Sequence, residues 1–187
     1  MLRERAVMQR KQRGDTIIEV LLAVTLFSVV AVGTMAVMNR GTSTAQRSLE
    51  VTLVRHQIDA QAELLRFVHA RATGPGALAS DKAAWQSLPR ASTIVDILNI
   101  DSCPASLPTG GFTLYTAGDS VRQATRYRRA ETYAQQRADV SEGLQIQLVR
   151  VQGGGAYDAY IQACWYSPGL LRPMTTGTIV RVYDAAA

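Results

Sequence analysis

From Thr16 to Met38 the chain reads TIIEVLLAVTLFSVVAVGTMAVM, and its only ionisable residue there is Glu19. The nineteen residues Val20–Met38 carry no charge. A helix that crosses a bilayer needs about 20 predominantly apolar residues. A secretory signal core is shorter, roughly 7–15 residues, and is followed by a small-residue cleavage site. Asn39-Arg40-Gly41 is not such a site. The run therefore predicts a transmembrane helix. The alternative is a helix wholly buried inside a soluble protein.

Charge supports the membrane reading. The chain has 187 residues and a formal net charge of +5. Residues 1–14, MLRERAVMQRKQRG, hold Arg3, Arg5, Arg10, Lys11 and Arg13 against Glu4, a local balance of +4 that leaves +1 for the rest. A basic head before an apolar span stays on the cytoplasmic side, which places everything after Arg40 outside. It also removes most of the compositional case for nucleic-acid binding. Apolar residues at 47% and charged residues at 19% exclude a disordered chain. Two cysteines exclude a disulfide-dense scaffold and a four-cysteine zinc site, and two histidines leave little material for a histidine-built metal centre.

Beyond Met38, Val51, Val54, Ile58, Leu65 and Val68 recur at spacings of three, four or seven, the pattern of an amphipathic helix. Gly74-Pro75-Gly76 ends it. If Gly41–Thr44 does not interrupt it, residues 15–73 form one helix, roughly 88 Å long at 1.5 Å per residue. Ala83–Leu88 suggests a short helix closed by Pro89, and Ile94–Ile100 fits strand or helix. After Gly110, strands dominate. Phe112–Thr116 alternates, as does Leu144–Leu148, where Val149 and Val151 then shift the apolar face and suggest a bulge or two-sided burial. Tyr157–Tyr166 and Thr178–Tyr183 complete three or four strands, enough for an antiparallel sheet. Residues 121–137 fit helix or strand. The expected fold is α+β: a long N-terminal helix whose second half covers a C-terminal antiparallel sheet. The segments are a basic leader (1–14), a transmembrane half-helix (15–38), an amphipathic half-helix (39–73), an irregular connection (74–110) and a sheet domain (111–187).

The junction Arg13-Gly14-Asp15-Thr16-Ile17-Ile18-Glu19 adds something more specific. A basic head ends in glycine, and five residues later a glutamate sits in an apolar helix that runs on past the membrane. This resembles the class III signal of type IV pilin-like proteins, a group of major and minor pilins, competence pseudopilins and type II secretion pseudopilins. The resemblance covers about the first 40 residues, and the rest fits the family more loosely. It implies cleavage after Gly14 by a membrane prepilin peptidase, an N-methylated new terminus, and assembly with other pilin-like subunits by a platform protein and an ATPase. It implies that Glu19 becomes the fifth residue of the mature chain. There it can meet the new ammonium of its own or a neighbouring subunit and set the register of stacked helices. The sequence departs from the family at Asp15, where a large apolar residue is usual. It also lacks the family's mid-helix proline. Asp15 is suited to a helix N-cap and to a subunit with a special place in the filament, such as its tip.

Cys103 and Cys164 fall in the part placed outside, where an even pair favours a disulfide over two buried thiols. Arg122, Arg126, Arg128, Arg129 and Arg137, with Tyr127 and Tyr133 between them, form the one basic cluster of this region. Contact with DNA through Arg122, Arg126 and Arg129 is one reading, and a solvated face with Asp119, Glu131 and Asp139 mixed in is the other. Trp85 reads as a core or interface residue, and His56 and His69 as surface or interface residues. No phosphate-cradling loop, nucleophile elbow or zinc pattern is present. The sequence thus points to a non-enzymatic assembly subunit without catalytic residues, metal or cofactor. Its rival is an uncut single-pass membrane protein whose outer domain binds a ligand or carbohydrate.

Overall fold

The computed structural model describes residues 15–98 and 101–184, with the side chains of Asp15 and Thr16 outside that description. The leader 1–14 lies outside the described residues, as do Asn99 and Ile100 of the uncertain 94–100 segment. The fold is α+β. Helix α1 runs Asp15–Thr73 and passes through Gly33 and Gly41–Thr44 without a break. The chain divides into two units after Gln46, eight residues beyond the expected end of the membrane segment.

The first unit is helical from Asp15. It contains the one helix stretch among the described residues that is long and apolar enough to cross a membrane. None of the best apolar window is buried. Ile17, Leu21, Phe27, Val32 and Val37 are all more than half exposed, so no protein core in this unit accounts for them.

The second unit, from Arg47, is built on a four-stranded sheet. In chain order the described residues form α2 (Ala79–Gln86), β1 (Gly111–Phe112), β2 (Leu114–Ala117), β3 (Ser120–Gln123) and β4 (Arg126–Arg128). They continue with β5 (Gln135–Arg137), β6 (Val140–Glu142), β7 (Leu144–Arg150), β8 (Ala156–Trp165) and β9 (Met174–Tyr183). The main sheet has the order β1-β7-β8-β9 and is antiparallel throughout. The stripe Val54, Ile58, Leu65 and Val68 packs with Leu144, Ile146, Leu148, Ala159, Ile161, Trp165 and Val180 in one core. This is the helix-on-sheet layer that the two periodicities, 3.6 and 2, require.

Several local expectations are corrected. Phe112–Thr116 is not one strand: the chain leaves the main sheet at the buried Thr113, so β1 pairs with β7 while β2 pairs with β3. Residues 121–137 are strand where they are regular, shared between β3, β4 and β5. The small sheet β4-β6-β5 contains a parallel pair, β4 with β6, where only antiparallel pairing was expected. Residues 94–98 are neither strand nor helix. The last strand begins four residues earlier than Thr178, and α2 begins four residues before Ala83.

The apolar shift at Val149 reflects two-sided burial. Leu144–Leu148 is buried at every residue, glutamines included. Val95 and Asp96 of the connecting segment bond the glutamine face of the sheet, opposite the helix. Val95 N donates to Gln147 Oε1 at 3.0 Å, Gln162 Nε2 to Asp96 Oδ1 at 3.2 Å, and Gln145 Nε2 to Gln162 Oε1 at 2.9 Å. Cys103 and Cys164 form a disulfide and pack with Ile97 of this segment. Gly143 is required where the sheets meet. Its φ is +68°, and a Cβ there would come within 2.2 Å of Cys164 O.

Candidate functional site

Glu19 is exposed on the first unit's helix, among apolar neighbours that are exposed as well. Hydroxyl side chains nearby are satisfied within the helix itself. Thr25, Ser28 and Thr34 donate their hydroxyls to the carbonyls of Leu22, Val24 and Ala31 at 2.8–2.9 Å. A carboxylate has no proton to give and cannot use that route. Among the described residues, no side chain donates a hydrogen bond to the Glu19 carboxylate. Gly14 lies outside the described residues, and Asp15 is described only as the first residue of the helix.

Three of the five clustered arginines are ion-paired. Arg126 binds Asp139 through two nitrogens, at 2.8 and 3.2 Å. This pair pulls the Asp139 carboxyl below its usual range, with Thr125 adding a third bond. Arg128 and Arg137 both approach Glu142, whose carboxylate also accepts from Gln135 at 3.0 Å. Arg122 and Arg129 are exposed and form no ion pair among the described residues. The tyrosines are not open stacking platforms. Tyr133 packs against the core, and burial pushes the Tyr127 hydroxyl up to about 12, with Arg129 opposing.

Glu142 makes the second unit sensitive to acid. Desolvation pushes its carboxyl up, but the bonds from Arg128 and Gln135 outweigh this and leave it below the ordinary value. A depressed folded pKa stabilises above the unfolded value of about 4.3 and is lost as pH falls through the folded value. Denaturant midpoints of the wild type are expected to fall between pH 5 and pH 2.5, roughly the window in which such carboxylates protonate. Glu142→Gln is expected to be less stable at neutral pH and to show a flatter acid limb. Parallel limbs in the two proteins would refute the assignment.

Three arrangements escaped the sequence reading. Gln61 is buried in the helix stripe, where its amide acts as a peptide group toward β2: Nε2 donates to Leu114 O and Oε1 accepts from Leu114 N, both at 2.8 Å. Gln57 accepts from Gln136 N at 3.1 Å. Trp85 donates to Asp184 at 2.8 Å, while His69 meets its ring edge-on and Arg90 lies over both Trp85 and Tyr157. His69 is thus half-buried, and desolvation lowers its pKa against the pull of Asp184. The hydrogen-bonded partners are 53 to 99 residues apart, so no local pattern could announce them.

No known protein family matches this chain, and no curated protein or solved structure matches it.

Proposed function

We propose that this chain is an assembly subunit of a type IV pilus or a pilus-like secretion or competence machine, in the role of a minor pilin or pseudopilin. The observation that carries the reading is Glu19. It is the one carboxylate of the exposed apolar run 16–38, its side chain takes no hydrogen bond among the described residues, and it lies five residues after a glycine that ends a basic head. An acidic group at bilayer depth marks a functional contact by default. Cleavage after Gly14 supplies its partner, because the new α-ammonium of residue 15 lies about one helical turn away in the same subunit and is also available from a neighbour. The basic head keeps the N-terminus on the cytoplasmic side. The outer unit, with its disulfide, fits an oxidising compartment. The partners are prepilin peptidase, a platform protein with its ATPase, and other pilin-like subunits.

The deciding measurement is the N-terminus of the protein isolated from membranes. Intact mass and terminal sequencing are expected to begin at Asp15, and Gly14→Val is expected to restore Met1. A wild-type chain that keeps Met1 refutes the reading in favour of an uncut single-pass protein.

A further inference from the structure

β9 is an edge of the main sheet, ten residues long, and no described strand pairs with its far side. Its hydrogen-bond phase can be fixed. Asp184 N donates to Gly155 O at 3.0 Å, in continuation of a ladder that pairs Ala156 with Tyr183 and Tyr157 with Val182. Bonded and non-bonded pairs alternate along an antiparallel ladder. Val182, Val180, Thr178 and Thr176 therefore turn their peptide groups to β8. Tyr183, Arg181, Ile179, Gly177 and Thr175 turn theirs to the open side. The β7–β8 ladder agrees: Val151 N bonds Ala156 O at 3.0 Å and Cys164 N bonds Gly143 O at 2.8 Å, so the even-numbered residues of β8 serve β7 and the odd-numbered ones serve β9.

Four of these five, Tyr183, Arg181, Ile179 and Thr175, carry their side chains on the face away from the helix. Ile179 and Tyr183 are 60% and 75% exposed there, whereas Val180 and Val182 are in the core. Long edges are usually blunted by lysine, proline or a bulge. β9 has none of these, and its one charge, Arg181, is bound by Asp158 at 2.7 and 2.8 Å. Beside the edge lies a groove of about 530 Å³ between Ile94 and Leu98 of the covering segment and Tyr160 and Ile179 of the sheet. Gly177 borders it without a side chain.

We propose that the open edge of β9 receives an extended strand of a different chain as the fifth strand of the main sheet. A large apolar side chain of that strand lies over Gly177 into the groove. A row of free N–H and C=O groups selects a partner backbone, and the apolar residue sets its register. A second copy of β9 fits less well. The antiparallel register that pairs all five outward residues puts Arg181 opposite Gly177, and Asp158 holds that guanidinium away from the groove. Among the described residues the main sheet offers no other long edge, since β1 has two residues and Ala91 bridges Val149 beside it. The inference rests on β9 and its groove alone, so it stands or falls independently of cleavage after Gly14.

The test is amide hydrogen exchange, followed by NMR on the full chain in detergent micelles. The probe is a synthetic peptide of about ten residues, the length of a long strand, alternating threonine and valine around one central phenylalanine. The amides of Gly177, Ile179 and Arg181 are expected to slow by at least about tenfold on saturation, while those of Thr178 and Val180 stay as slow as before. Replacing the phenylalanine by glycine is expected to weaken binding several-fold. A peptide N-methylated at alternate amides is expected to be inert, a control that leaves the protein untouched. Ile179→Pro removes no bond to β8 and is expected to abolish the response. Unchanged exchange at the odd-numbered amides, or an equal response to the methylated peptide, overturns the proposal. Protection that appears without peptide and grows with protein concentration assigns the edge to a second copy and overturns it too.

Discussion

Glu19→Ala protein is expected to insert into the membrane at least as well as wild type, yet to be recovered in sheared filaments at least about tenfold less. The two effects have one cause. A carboxylate held deep in a bilayer costs about 2.5–3.5 kcal/mol on insertion scales, so alanine eases insertion. A charge kept at that cost must be offset by a partner, and in the proposed assembly the partner is the ammonium exposed by cleavage after Gly14. About 1.4 kcal/mol of lost pairing already corresponds to a tenfold change in an equilibrium. Glu19→Gln, which keeps the shape and hydrogen-bonding capacity but not the charge, is expected to resemble alanine. Immunoblots of sheared and membrane fractions read both quantities. Normal incorporation of either variant would sink the assembly role assigned to this residue.

The second large effect concerns the second unit. Cys103 and Cys164 are bonded across a separation of 61 residues. Opening a loop of that length is expected to cost about 4 kcal/mol in the chain-entropy account. With a urea slope of about 2 kcal/mol/M, the midpoint falls by about 2 M. The local consequences point the same way. The bond pins the covering segment to β8, and that segment supplies partners to Gln145, Gln147 and Gln162. Without it those buried amides lose bonds or meet water. Trp85 and Trp165, both buried, report the transition by fluorescence. The Cys103→Ser/Cys164→Ser double variant and reduced wild type are expected to agree. A midpoint shift below about 0.5 M in both would mean that the cover is held by its hydrogen bonds alone.

These residues also show how far periodicity reaches. Val54, Ile58, Leu65 and Val68 mark their helix face by spacing alone, and the core uses all four. The same spacing passes over Gln61, which sits in that stripe because a strand edge 53 residues away needs a donor and an acceptor at one point. Leu144–Leu148 alternates like a strand with one wet face, yet Gln145 and Gln147 are as buried as the leucines. Residues 121–137 could not be assigned, because short strands of arginine, glutamine and tyrosine carry no period of their own. They are held by Asp139 and Glu142 and by pairing between segments, including the parallel β4–β6 contact.

The apolar run, its lone Glu19, the basic head and the helical and β periods are properties of neighbouring residues. The chain carries them whatever it later packs against, because hydropathy and side-chain spacing act over a few residues. Whether a glutamine ends in water or in a core is another matter, as is which strand a peptide group bonds and which edge stays open. Those depend on segments that meet only after folding: Trp85 with Asp184, 99 residues away, and Glu50 with Trp165, 115 residues away. A polar side chain is stable in either setting, provided its hydrogen bonds are made. Polar residues therefore leave their fate open until the distant partner is in place, whereas Leu65 and Ile146 do not.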